Sequence, residues 1–159
     1  MSLKQGDTIP ASQFKVMGGD GPEDMSSDTV FKGKKVVLFA VPGAFTPGCT
    51  MTHLPGYVVN ADKIHAKGVD TIACTAVNDI FVMDAWGKSQ NAENIVMLAD
   101  GNGDFARAIG LEMDVSGAGL GMRSQRYAMV VDDGVVTHLA VEPDGKVNVS
   151  AAEKILEAL

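Results

Sequence analysis

The sequence has few cysteines, a single tryptophan and no long apolar run. Its two cysteines, Cys49 and Cys74, form neither a CxxC pair nor a group with histidines at zinc-ligand spacing. A disulfide framework and a zinc site are therefore excluded. The three histidines are scattered and lack carboxylates at ligand spacing, so we predict no bound metal. No apolar run approaches the ~20 residues of a membrane-spanning helix, and we predict no membrane segment.

Positive charge is also scarce, with 13 Lys and Arg against 20 Asp and Glu and a net charge of −7. An acidic surface without a basic cluster repels phosphate backbones, which argues against nucleic-acid binding. The first residues, MSLKQGDTIPAS, have neither an apolar core nor an arginine-rich face. We therefore expect no leader peptide and a cytoplasmic location, where thiols stay reduced. The composition, 46% apolar, fits a single globular domain over residues 1–159.

Apolar segments alternate with helical patterns along the chain. The run Lys34–Val41 predicts a central strand that is buried on both faces. Pro55-Gly56 should break or kink the helix that begins after Thr46, and Asp-Asp-Gly at 132–134 predicts a hairpin turn. This order of elements predicts an α/β sandwich around a mixed sheet. The predicted strands are 14–17, 28–31 (after a loop at 18–27), 34–41, 70–77, 95–100, 126–131 and 135–142; the predicted helices are 46–54, 57–68 (closed by Gly68), 79–90 (capped by Asn78), 104–110 and 150–159 (capped by Ser150).

Cys49 follows the central strand in the stretch VPGAFTPGCT. If Thr46 caps the helix, Pro47, Gly48 and Cys49 form its first turn. Free backbone N–H groups and the helix dipole then surround the sulfur and favour the thiolate over the thiol. The Thr46 hydroxyl should lie near the same sulfur, and Pro42 can shield it from water. An isolated cysteine is usually a small buried residue, but this one lies at a sheet end, where ligands collect in α/β folds.

The stretch PGAFTPGC at 42–49 matches the pattern P-x-x-x-T-x-x-C and resembles the peroxiredoxins. Further stretches, NDIFVMDAWGKSQ at 78–90 and RSQRY at 123–127, resemble their type-II, or peroxiredoxin-five-like, group. The resemblance extends from about residue 30 to the C-terminus and also includes CTMTHLPGYV, MLADGNGDFARAIGLEMD and VEPDGKV. It implies a thioredoxin-like fold and an antioxidant thiol peroxidase. Such an enzyme reduces hydrogen peroxide and organic hydroperoxides through a cysteine sulfenic acid.

The resemblance also implies roles for individual residues. Cys49 would be the peroxidatic cysteine, and Arg126 would hold its thiolate and stabilise charge on the peroxide oxygens, for which a permanent planar cation is suited. Thr46 would hydrogen-bond to the peroxide and to the sulfur. Arg123 could share the charge or be a surface cation. Gly119 and Gly121 should permit tight turns before it.

Each of three aromatic side chains near the motif has two alternative interpretations. His53, four residues after Cys49 on the same helix face, is either a general base or a pocket histidine; we favour the second. The first would make the protein a Cys-His hydrolase. Trp86 and Phe45 are either core residues or, as the resemblance suggests, residues of a homodimer interface beside the site.

The second half-reaction needs another thiol. The region VEPDGKVNVSAAEK lacks the C-terminal resolving cysteine of the animal members of the group. Cys74, in a predicted buried strand, is therefore the one internal candidate, and we expect it to be structural instead. We expect no bound cofactor and an external reductant, glutathione with glutaredoxin or else thioredoxin. A single-turnover peroxide sensor would use the same pocket.

Overall fold

The computed structural model describes residues 2–159. Its strands are β1 (Gln13–Gly18), β2 (Gly21–Ser26), β3 (Lys35–Ala40), β4 (Thr71–Ala76), β5 (Val96–Ala99), β6 (Glu112–Asp114), β7 (Met122–Ser124), β8 (Tyr127–Asp132) and β9 (Val135–Val141). Its α-helices are α1 (Ser27–Phe31), α2 (Leu54–Ala66), α3 (Ile80–Ser89), α4 (Asp104–Ala108) and α5 (Ala152–Ala158). A wide π-helical turn, Cys49–His53, leads directly into α2, and a short 3₁₀ turn, Ser116–Ala118, precedes β7.

Seven strands form one mixed sheet in the order β2-β1-β5-β4-β3-β8-β9. β3, β4 and β5 are parallel to one another, and the remaining neighbours pair antiparallel. β3 lies inside the sheet with Phe39 opposite Cys74 of β4 and Ala40 opposite Tyr127 of β8. The prediction of a central strand and of an α/β sandwich around a mixed sheet is confirmed.

Successive residues of β3 face opposite sides of the sheet, as the pleat requires, and both sides are covered by helices. Val37 and Phe39 pack in one apolar cluster with residues of α2, α3 and α5, and this cluster contains Cys49. Val36 and Leu38 pack in the other cluster with residues of α1 and α4. The candidate site therefore lies on the α2 side of the sheet. Within residues 2–159, no helix has the length and apolarity needed to cross a membrane.

The prediction for residues 18–31 was wrong. Residues 28–31 belong to a helix, not to a strand, and the predicted loop contains β2, which pairs with β1 across a tight turn at Gly19-Asp20. The Ser26 hydroxyl accepts a hydrogen bond from the Thr29 N–H and starts the helix. Such a side-chain cap outweighs the β preference of a short apolar stretch.

The helix after Thr46 is not broken at Pro55-Gly56. Helical backbone begins at Pro47, and Pro55 lies at the start of α2. The irregularity instead lies just before it, where the Leu54 N–H bonds to the Cys49 carbonyl five residues back. A proline within the first turn after such a widened turn costs little, because its missing N–H is not needed there.

Two predicted caps were also wrong. The cap of α3 is Asp79, whose carboxylate accepts from the Val82 N–H, and not Asn78. The residue before α5 is Ala151, which makes no side-chain cap, and not Ser150. Asn78 and Ser150 make other hydrogen bonds that support the candidate site.

Two turn predictions are confirmed. The β8–β9 hairpin turns at Asp133 and Gly134, both with positive φ, as the right-handed twist of a hairpin favours. The glycine-rich stretch before Arg123 also turns tightly, with Gly119 at φ 77° and Gly121 at φ 68°. It connects β6 to β7, a small antiparallel hairpin that the sequence patterns did not reveal.

Candidate active site around Cys49

Cys49 lies in the first turns of the helix that follows β3, and its side chain is fully buried. The connecting loop is fixed at several points. The Ala44 N–H donates to Asn78 Oδ1 at 2.9 Å, and the Thr50 N–H donates to the Thr46 carbonyl at 2.9 Å. Thr46 therefore precedes the helix, as predicted, but its hydroxyl makes no side-chain cap and lies instead within bonding distance of the Gly43 carbonyl and Cys49 Sγ. These bonds hold the sulfur at the carboxyl end of the parallel strands.

Two donors reach the sulfur. Thr46 Oγ1 lies 3.0 Å from Cys49 Sγ, and Arg126 Nη2 lies 3.2 Å from it. Thr46 Oγ1 is also 2.6 Å from the Gly43 carbonyl. A hydroxyl has a single proton, so Thr46 donates a hydrogen bond either to the carbonyl or to the sulfur, and in the first case its oxygen can accept a hydrogen bond. The Thr46 hydroxyl can therefore donate a hydrogen bond to a thiolate or accept one from a protonated partner.

The three guanidinium nitrogens of Arg126 each have a different partner. Nε donates to the Gly145 carbonyl at 2.8 Å, Nη1 lies 2.8 Å from His53 Nδ1, and Nη2 points at the sulfur. The side chain is buried, at 6% exposure. Its approach also explains a glycine, because a Cβ at Gly48 would lie 3.2 Å from Nη2. The guanidinium is therefore held as a rigid fork against the sulfur.

Both ring nitrogens of His53 are hydrogen-bonded. Arginine can only donate, so Nδ1 is the acceptor, and Nε2 carries the proton and donates to the Ser150 carbonyl at 3.1 Å. Burial, and next the charge of Arg126, lower the pKa of His53 to about 4. The ring is therefore neutral at pH 7. Its nitrogens bond to groups other than the sulfur, which is not the arrangement of a Cys-His hydrolase.

Arg123 does not bond to the sulfur. Its Nη1 donates to the Pro42 carbonyl at 3.2 Å and its Nε to the Leu120 carbonyl at 2.9 Å. A Cβ at Gly43 would lie 2.8 Å from Nη1. Arg123 thus joins the β6–β7 hairpin to the loop before Cys49, and half-buried Pro42 supplies its carbonyl to that contact.

The two candidate interface aromatics differ. Trp86 is fully buried, and its Nε1 donates to Thr50 Oγ1 at 3.0 Å. Of the two alternatives for Trp86, the structure therefore favours the core residue, because α3 packs this side chain into the core of its own chain. Phe45 is 53% exposed and has φ 65°, a rare conformation for a bulky residue. Phe45 presents its ring to solvent beside the site.

Cys74 is fully buried in β4, and both cysteines are free thiols. Burial, and next the nearby Cys49, raise the pKa of Cys74 well above its usual value. A thiol in such a position is a poor nucleophile. Across the described chain, no group of His, Cys, Asp and Glu is arranged to hold a metal ion.

Sequence reasoning missed the second layer of the site. Asn78 holds the loop before Cys49, and Gly145 and Ser150 supply carbonyls to Arg126 and His53. Backbone carbonyls leave no trace in residue identity, so only Asn78 offered a signal. Asn and Asp share the preference for the helix N-cap, so the sequence pattern favours Asn78 as a cap.

Comparison with known proteins identifies close relatives over nearly the whole chain. The model of the Redoxin family matches residues 4–156. Peroxiredoxin-2D of Arabidopsis thaliana is 44% identical over 156 residues, which cover 97% of this chain and 96% of that protein.

Two solved structures share the fold. Reduced Prx3 from Vibrio vulnificus in complex with hydrogen peroxide is 56% identical, with a TM-score of 0.95 and 98% of each chain covered. Peroxiredoxin 5 from Alvinella pompejana is 40% identical, with a TM-score of 0.86, and the match covers 98% of this chain and 97% of that one.

Proposed function

As the chain belongs to the Redoxin family and is an antioxidant, thiol-dependent peroxidase of the type-II peroxiredoxin group with a thioredoxin-like fold, we propose that Cys49 is its peroxidatic cysteine. One observation carries this assignment: the Cys49 side chain is fully buried, and Arg126 Nη2 and Thr46 Oγ1 both lie within hydrogen-bond distance of its sulfur. A permanent cation beside a sulfur at a helix start stabilises the thiolate, which is the reactive form.

The proposed chemistry is a displacement at oxygen. The Cys49 thiolate attacks one oxygen of the hydroperoxide, an S–O bond forms as the O–O bond breaks, and the leaving oxygen takes a proton to become water or an alcohol. The sulfur is oxidised to a sulfenic acid by two electrons. Arg126 and Thr46 offer donors that are already in place for the charge that develops on the two oxygens, so no reorganisation is needed.

Regeneration is proposed to use an external thiol, glutathione with glutaredoxin, with thioredoxin as the alternative. One thiol condenses with the Cys49 sulfenic acid and releases water, and a second thiol reduces the mixed disulfide and restores Cys49. The burial of Cys74 in β4 supports a structural role for it, since a buried thiol of raised pKa attacks poorly. No bound cofactor is required by this cycle.

A homodimer is proposed, with Phe45 in its interface. Phe45 and Phe81 are 53% and 65% exposed, and the Asn78–Ala44 hydrogen bond joins the segments that carry them. Exposed aromatic rings on adjoining segments favour burial against another protein surface. The proposed location is the cytoplasm, where glutathione and thioredoxin keep thiols reduced.

The intact mass after oxidation tests the assignment. Reduced protein receives one equivalent of hydrogen peroxide, free thiols are then alkylated, and a Cys49→Ser variant serves as the control. We expect one added oxygen at Cys49 with Cys74 alkylated. A Cys49–Cys74 disulfide would make Cys74 the resolving thiol, and an unoxidised Cys49 after seconds would contradict its peroxidatic role.

Turnover separates an enzyme from a sensor. Cys74→Ala should sustain repeated reduction of peroxide with glutathione and glutaredoxin. A variant that is oxidised once and then stops would contradict the structural role of Cys74. Wild-type protein that turns over only once with both reductants would instead act as a peroxide sensor.

A further inference from the structure

The segment 142–150, between β9 and α5, forms the wall behind Arg126 and His53. Its Gly145 carbonyl accepts from Arg126 Nε at 2.8 Å. Its Ser150 carbonyl accepts from His53 Nε2 at 3.1 Å and from the Tyr57 hydroxyl at 2.7 Å. This irregular segment therefore supplies the acceptors that orient two side chains of the site.

A buried carboxylate holds this segment in shape. Glu142 Oε2 accepts from the Asn148 N–H at 2.6 Å, the Ser150 N–H at 2.8 Å and the Ser150 hydroxyl at 2.7 Å. Glu142 is only 5% exposed. Burial opposes ionisation, but these hydrogen bonds outweigh it, so the pKa of Glu142 lies below its usual value. The Glu142 carboxylate is therefore an anion, and its hydrogen bonds to Asn148 and Ser150 hold the segment 142–150 in a turn.

We propose that Glu142 is a positioning residue for the peroxidase reaction: it fixes the Ser150 and Gly145 carbonyls, which in turn hold His53 and Arg126 against Cys49. This inference rests on the proposed roles of Cys49 and Arg126. Glu142 itself has no contact with the reacting atoms and acts through the segment that it fastens.

The tautomer of His53 is the sensitive link. While the Ser150 carbonyl accepts a hydrogen bond from Nε2–H, Nδ1 carries no proton and can accept from Arg126 Nη1. If that carbonyl moves away, the ring can place its proton on Nδ1 instead. Two donors would then face each other, and the guanidinium would turn away from the sulfur. The orientation of Arg126 therefore depends on a carbonyl that Glu142 fixes.

Because Glu142 acts on Arg126 only through the segment 142–150, it also leaves the positive charge of Arg126 intact. Among the described residues, no carboxylate lies within ion-pair distance of this guanidinium. A carboxylate in direct contact would share the guanidinium N–H groups and neutralise the cation. Glu142 instead anchors the segment through its N–H and hydroxyl groups and leaves the positive charge for the sulfur and the peroxide.

The test is a double-mutant cycle on the rate of Cys49 oxidation by hydrogen peroxide, measured by stopped flow in a single turnover. Glu142→Gln removes the charge at nearly constant shape, and Glu153→Gln, an exposed position on α5, is the matched control. We expect Glu142→Gln to be about tenfold slower and the control to be unchanged. In an Arg126→Ala background, Glu142→Gln should change the rate less than about twofold, because the residue acts through the arginine.

A spectroscopic readout separates positioning from general loss of stability. The ¹⁵N chemical shifts of His53 distinguish a protonated from an unprotonated ring nitrogen. We expect Nε2–H alone in the wild type and a mixture of tautomers in Glu142→Gln. If Glu142→Gln does not fold, Ser150→Ala replaces it, since this change removes one donor to the carboxylate and keeps the charge; we expect it to be about threefold slower.

Three outcomes would overturn the proposal: an unchanged rate in a folded Glu142→Gln or Ser150→Ala protein, an unchanged His53 tautomer, or equal slowing with and without Arg126. Failure of the proposed function gives a different result. A wild-type Cys49 that peroxide does not oxidise would contradict the peroxidatic assignment, while the tautomer measurement would still report on Glu142.

Discussion

Arg126 Nη2 lies 3.2 Å from Cys49 Sγ, although 77 positions separate the two residues in the sequence. The register of the sheet brings them together. Tyr127, the first residue of β8, pairs with Ala40, the last residue of β3. Arg126 therefore lies beside the loop that leads from β3 to Cys49, and the guanidinium needs only a short reach to the sulfur.

Replacement of Arg126 by alanine should slow the oxidation of Cys49 about a hundredfold, because it removes a charged, preorganised donor from the reacting oxygens. Arg126→Lys should fall in between, since it keeps the charge and loses the planar fork. Stopped-flow oxidation by hydrogen peroxide measures both. Arg107→Ala, at a half-exposed arginine of α4, is the control. A loss of less than threefold in Arg126→Ala would contradict the assigned role.

Thr46→Val keeps the shape of the side chain and removes the hydroxyl that lies 3.0 Å from the sulfur. We again expect a slowing of about a hundredfold, by the same reasoning on preorganised donors. Thr52→Val, at an exposed position of the same helix, should react like the wild type. Equal rates in the two variants would show that the Thr46 hydroxyl takes no part.

His53 should make the protein sensitive to acid. Its pKa is about 4 in the folded state against an ordinary value of 6.5, so the unfolded chain binds more protons between these pH values. The free energy of unfolding should therefore fall as pH drops from 6.5 to 4, by up to ~3 kcal/mol. Urea titrations at several pH values measure this slope. His53→Gln should lose it, while His138→Gln should retain it; an identical slope in both would contradict the assignment.

Trp86→Ala should destabilise the folded chain by about 3–5 kcal/mol, because it empties a fully buried site of the core. Urea unfolding at two protein concentrations tests where this side chain acts. A core residue gives a loss that does not depend on concentration. A loss of stability that becomes smaller at high protein concentration would indicate that Trp86 lies in a subunit interface.

Neighbouring residues Asn78 and Asp79 should have separable effects. Asp79→Ala removes the cap of α3 and should cost about 1 kcal/mol of stability with little change in the peroxide rate. Asn78→Ala leaves the Ala44 N–H without its acceptor and should slow Cys49 oxidation several-fold, since the loop before the sulfur loosens. Thermal unfolding and stopped flow on both variants check this. The reverse pattern would support Asn78 as the cap.

Much of the fold could be read from local patterns. The apolar runs of β3, β4 and β8 and the Asp-Gly turn at 133–134 each specify their element through neighbours in sequence. The structure of residues 28–31 could not be predicted from local patterns, because a stretch of four mixed apolar and polar residues fits either a strand or a helix. The Ser26 cap decided between them.

The site divides in the same way. The motif PGAFTPGC by itself determined that a cysteine would stand at a helix start near Thr46, because a strand end and a proline at the first helical position set the backbone over these few residues. Only the tertiary structure decided the partner of the sulfur and the state of His53. Arg126, Gly145 and Ser150 reach the site through strand register and through backbone carbonyls, whose positions depend on the packing of segments far apart in the sequence.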